Sequence, residues 1–122
     1  MTKAVRRKMN KKTLLALEAS IEHWRENEVA ETVDKVEVYG RSCALCRMFS
    51  LKNDNCTGCP VADRTGYQFC FRSPWDSARN AFSVWCRNPE SIAARDAFRA
   101  AARVEREFLE SLLPEGEQNE KE

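Results

Sequence analysis

No apolar run in the 122-residue chain approaches the roughly 18–20 residues that a membrane-spanning helix needs, so no membrane span is expected. The chain has a single histidine, His23, which excludes a two-histidine zinc-enzyme motif. No Ser/His/Asp set and no phosphate-cradling glycine loop is evident, and an enzymatic role is not expected. Internal repeats and long low-complexity tracts are also missing. The net charge is only +1, without the basic excess that a duplex-binding protein of this size would carry on one face. A basic start, Met1 to Lys8, could open a signal peptide. The following stretch carries Glu18 and Glu22 where a signal core must be apolar, so no export signal is read. A reducing, cytoplasmic setting is the resulting expectation.

What is present fits one domain with a small core. A chain of this size buries only roughly two-thirds of its unfolded surface, so an additional staple would help it fold. Residues 1–12 hold six bases and no acid and read as a flexible basic arm. From Thr13 to about Glu31 the pattern is helical: Leu14, Leu17, Ile21 and Trp24 recur at steps of three and four. Val36 and Val38 then alternate with Lys35, Glu37 and Tyr39, which predicts a short strand within 33–39. Ser73-Pro74-Trp75-Asp76 reads as a helix start, with Ser73 as cap and Pro74 at the first helical position. Ala78, Phe82 and Trp85 line that helix. Asn88-Pro89-Glu90 reads as a further start with Asn88 as cap. Phe98, Ala101, Ala102, Phe108, Leu109 and Leu112 form the last apolar stripe, which Pro114 and Gly116 end.

The cysteines carry the chemistry. Cys43-Ala44-Leu45-Cys46 is followed after nine residues by Cys56-Thr57-Gly58-Cys59-Pro60. Two residues between cysteines let both thiolates of a knuckle point at one ion, and two knuckles supply a tetrahedral set. Soft thiolates favour zinc or iron–sulfur chemistry over magnesium or calcium. The tight run of cysteines common in iron–sulfur proteins is missing, so zinc is preferred. Cys43, Cys46, Cys56 and Cys59 are therefore the expected metal ligands. Cys70 could replace one of them. Cys86 is expected to pack as a small hydrophobe beside Trp85, and His23 to sit on or near the helix surface. Arg41, Arg47, Lys52, Arg64 and Arg72 accompany Phe49, Tyr67, Phe69 and Phe71, a mixture that can either contact nucleic acid or fill the core around the metal.

Several segments together resemble a set of short cysteine-rich proteins encoded in phage and prophage genomes. They are Leu17 to Asn27 (LEASIEHWREN), Cys43 to Cys46, Asn55 to Val61 (NCTGCPV), Phe69-Cys70 followed by Ser73-Pro74-Trp75, and Phe108 to Gly116 (FLESLLPEG). The resemblance spans most of the chain from about Leu14 to Gly116. It implies a phage or bacterial origin and a cytoplasmic protein that acts by binding a host or viral component. It includes Cys70 among the matching cysteines and leaves Cys86 as a departure.

The combined expectation is an α+β fold, mainly α. Three amphipathic helices would pack on a cysteine-rich zinc-knuckle segment, 41–73, with short strands. A basic arm, 1–12, would precede a single domain, 13–113, and an acidic disordered tail, 114–122, would follow it. Zinc is the expected cofactor. A protein partner is expected, with weak nucleic-acid binding through the arm and an oligomeric state left open. A zinc-dependent nucleic-acid module is the alternative, and an iron–sulfur protein a more distant one.

Overall fold

A computed structural model of the chain describes residues 9–38, 44–45, 59–65 and 73–114. Four α-helices occupy these residues: α1 (Lys11–Glu28), α2 (Pro60–Thr65), α3 (Trp75–Arg87) and α4 (Ile92–Glu110), with a 3₁₀ turn at Val33–Lys35. No described helix is long and apolar enough to cross a membrane.

Helix α1 starts where Asn10 turns its side-chain oxygen onto the Thr13 N–H at 2.8 Å. Such a cap satisfies one of the backbone donors that a helix start leaves unpaired. The start includes Lys11 and Lys12, so the basic run reaches into the first turn. Leu17, Ile21 and Trp24 are buried as the spacing predicts, while Leu14 is only half-buried.

The expected strand is not there. Among the described residues the structure is helical and irregular, without any β-strand, so the α+β assignment is corrected to α. The alternation of Val36 and Val38 was meaningful, since both side chains are buried. The Val36 N–H bonds the Val33 carbonyl at 3.2 Å, and side chains meet both backbone groups of Glu37 and the Val38 carbonyl. The Asn27 amide donates to the Glu37 carbonyl at 2.9 Å and accepts the Glu37 N–H at 3.3 Å. His23 Nε2 lies 2.6 Å from the same carbonyl, and Trp75 Nε1 donates to the Val38 carbonyl at 2.6 Å. An extended segment whose polar groups are met in this way needs no sheet.

Ser73 lies one residue before the cap of α3: Pro74 takes the cap position without a side-chain cap bond, and the Ser73 Oγ accepts the Trp75 N–H at 3.2 Å. Asn88 does not start α4. It ends α3, with its N–H on the Trp85 and Val84 carbonyls and its amide on Val84 O at 3.0 Å. Ser91 takes the capping role, accepting the Ala94 N–H at 3.0 Å. Asn88, Pro89 and Glu90 are the connection between the two helices.

Helix α4 packs against both α1 and α3. Phe98 is fully buried, with its ring centroid 5.7 Å from Phe82 and 5.6 Å from Trp85. After Glu110 the chain makes tight turns, Leu112 N to Leu109 O and Leu113 N to Glu110 O, which fold both leucines back into the core. Phe108, placed on the stripe by its spacing, is only half-buried.

An ionic clasp closes the α1–α4 seam. Arg106 forks onto Glu28 with contacts of 2.6 and 3.0 Å, and onto Glu110 at 3.1 and 3.2 Å. Arg25 reaches the same Glu110 at 3.1 Å. The paired Arg106 and Glu28 side chains are less than one-fifth exposed, at 18% and 19%. The Arg106 hydrogen bonds pull the Glu28 carboxyl below its ordinary value of 4.5.

Two outcomes are expected. Phe98→Ala should lower stability by about 3–5 kcal/mol in urea denaturation, the usual cost of emptying a buried aromatic site, with Phe108→Ala measurably milder. Arg106→Gln should cost about 1–3 kcal/mol near neutral pH, because it strips charged hydrogen bonds from Glu28. The contribution of Glu28 is present above 4.5 and fades as pH falls through its depressed folded-state value. The wild-type and Arg106→Gln stabilities should therefore converge in acid.

Candidate metal centre

The two cysteine pairs are joined to the helices by the residues inside and beside them. In the first pair, Leu45 is buried, and its N–H donates to Ser20 Oγ of α1 at 3.3 Å. Ser20 itself is fully buried. A small hydroxyl on the inner face of α1 thus holds the backbone at Leu45, between the first two cysteines in sequence. In the second pair, Cys59 is buried at 5% exposure, and its carbonyl accepts the Asp63 N–H at 2.9 Å. Pro60 opens α2 in the position where a missing N–H costs nothing. Val61 follows and is buried at 1%. Leu45, Cys59 and Val61 belong to the same hydrophobic core as Leu17, Trp85 and Phe98.

Of the four expected ligands, the structure places Cys59. Cys43, Cys46 and Cys56 lie outside the described residues, as does Cys70. Among the described residues no group of three or more His, Cys, Asp or Glu side chains gathers around a common point. Cys59 fits a soft ion by its donor chemistry and by a buried position that keeps water away from a thiolate. The basic and aromatic residues Arg41, Arg47, Lys52, Arg72, Phe49, Tyr67, Phe69 and Phe71 also lie outside the described residues. Arg64 stands exposed in the last turn of α2.

Cys86 differs from its expected role. It is exposed on α3, because Trp85 takes the core-facing position next to it. Consecutive helical residues point about 100° apart, so both cannot face inward. His23 is half-buried and meets Trp24 edge-on at 6.0 Å. A carbonyl oxygen can only accept, so the imidazole donates its Nε2–H to Glu37 O. That bond pins the segment leading towards the first cysteine pair.

No protein-family model, no curated protein and no solved structure matches this chain. Its function is therefore argued from its own residues.

Three features escaped the sequence pattern. Helix α2 lies inside the segment expected to form zinc knuckles and short strands, although Pro60 followed three residues later by Asp63 is a start signal. Ser20 was not singled out; its spacing from Leu17, Ile21 and Trp24 places it on the inward face. Glu105 was passed over for its charge, yet it sits seven residues after Phe98 and four before Leu109, on the apolar stripe.

Replacing Ser20 by alanine should leave the Leu45 N–H unpaired and cost about 1–3 kcal/mol. Hydrogen exchange at the Leu45 amide should accelerate in the variant. An unchanged exchange rate would show that this bond does not hold the backbone at Leu45.

Proposed function

We propose that this chain is a small non-enzymatic zinc-binding interaction protein that docks on another protein. The observation that carries the proposal is the paired cysteine motif together with the anchoring of both pairs in one core, through Leu45 for the first and Cys59 with Val61 for the second. Cys43, Cys46, Cys56 and Cys59 would hold the ion. A four-thiolate site leaves no coordination position for water or substrate, so its contribution is to folding. Such sites contribute on the order of 10 kcal/mol in small zinc-finger peptides, comparable with the whole stability of a small domain.

The charge arrangement favours a protein partner over nucleic acid. Arg25, Arg95, Arg103 and Arg106 each pair with a carboxylate of the same chain. Arg99 spends its guanidinium on the Val29 and Ala30 carbonyls at the end of α1. Arginines held in this way present little free charge to phosphate. The surface also keeps Leu15, Val29, Val84, Ile92 and Val104 exposed, apolar contacts that suit a protein. The resemblance to phage and prophage proteins supports a bacterial cytoplasmic setting, where reducing conditions keep thiols available for metal.

One observation favours a second reading. Lys11 and Lys12 are exposed in the first turn of α1 and continue the basic run of Lys3, Arg6, Arg7 and Lys8. This end of the chain can add weak, salt-sensitive attraction for nucleic acid.

Protein purified without added metal should contain about one zinc per chain and be colourless, as a d¹⁰ ion requires. Cys43→Ser and Cys59→Ser should lose the metal and unfold or aggregate, while Cys86→Ser keeps it. A brown protein with stoichiometric iron would replace zinc by a cluster. DNA binding at nanomolar concentration that survives both about 150 mM salt and removal of residues 1–12 would overturn the protein-partner reading.

A further inference from the structure

Glu105 is the one acidic side chain that the described residues bury almost completely, at 2% exposure. It lies on the core face of α4, in the stripe of Phe98, Ala102 and Leu109. Its Oε1 is buried and has no hydrogen-bond partner. Another acid, Asp76 in the first turn of α3, acts on it through its charge. A like charge across the interface disfavours ionisation, and so does burial.

Among the described residues, the bases of the packed helices are engaged elsewhere. Arg106, the next residue on α4, forks onto Glu28 and Glu110. On α1, which packs along the same helix, Arg25 bonds Glu22 and Glu110, while Glu28 is bound to Arg106. On α3, the Arg79 guanidinium lies over the Trp75 ring, 5.5 Å from its centroid. Asp34 and Lys35, in the turn beside α3, are exposed.

We propose that Glu105 is a protonation switch in the α3–α4 interface. As the neutral acid it packs as part of the core, and its ionisation loosens the first turn of α3 from α4. The first turn of α3 is a sensitive place for such a change. It holds the Trp75 N–H on the Ser73 hydroxyl and the Trp75 indole on the Val38 carbonyl, so it ties the segment before the first cysteine pair to the helices. This switch is separate from the metal and does not depend on it.

The direction of the pH effect follows from burial first and Asp76 second, which together raise the Glu105 carboxyl from 4.5 to about 8. Below 4.5 both folded and unfolded chains hold the proton, and nothing is lost. Between 4.5 and about 8 only the folded chain holds it, so stability falls as pH rises. Above about 8 the folded chain carries the charge and the loss is complete.

The test uses the full chain. Urea denaturation is followed from acid to alkaline pH for wild type, Glu105→Gln and Asp76→Asn, together with the side-chain carboxyl titration by carbon NMR. The Glu105 carboxyl should titrate near 8 and not near 4.5, and Asp76→Asn should move that midpoint downward. Wild type should lose stability relative to Glu105→Gln across this interval and run parallel to it above. Amide exchange in Trp75 to Ala78, corrected for intrinsic base catalysis, should quicken with pH in wild type and not in Glu105→Gln. Parallel stability curves throughout, or a carboxyl that titrates in the ordinary acidic range, would overturn the proposal.

Discussion

Burial of the apolar face of α4 between α1 and α3 is the interaction on which the other features rest. Helices of this length are marginal alone in water, because nucleation is costly and the gain per residue is small. Phe98 stands at the centre of this contact, touching the rings of Phe82 and Trp85. Trp24, Leu17 and Ile21 extend the same core along α1, and Leu112 and Leu113 close its end. The Arg106 fork on Glu28 and Glu110 then sets how α1 lies along α4, since a planar guanidinium accepts few geometries.

The cysteine-bearing parts depend on this helical core. Val36, Val38, Leu45 and Val61 each place one buried side chain into it. Side chains of the helices also meet some of the backbone groups here: Asn27 and His23 for Glu37, Ser20 for Leu45, Trp75 for Val38. In the proposed function a zinc ion would add the tie that so few apolar anchors cannot supply.

Glu105 is the exception within that core. A carboxyl almost fully buried on the apolar stripe of α4 lacks a partner on Oε1 and feels the charge of Asp76. An apolar residue at this place would pack without a desolvation cost. An acid there makes the interface sensitive to proton concentration, which a hydrocarbon side chain could not do.

The sequence by itself determined α1, α3 and α4 and most of their buried faces. Leu17, Ile21, Trp24, Trp85, Phe98 and Leu109 recur at the helical period, and periodicity is a local property that one segment reveals alone. It also determined the cysteine pairs and their spacing, which carry the metal reading. Tertiary structure decided the rest. Val36 and Val38 alternate as a strand would, but pairing needs a neighbour, and the neighbour here is α1 with its Asn27 amide. Asn88 and Ser91 are both competent caps, and the turn between α3 and α4 selects Ser91. Trp85 and Cys86 compete for one inward direction, and the aromatic contact with Phe98 gives it to Trp85. Burial of Glu105 could be placed by spacing, yet the engagement of Arg106, Arg25 and Arg79 elsewhere could not, because each is drawn to partners that only the packed helices bring within reach.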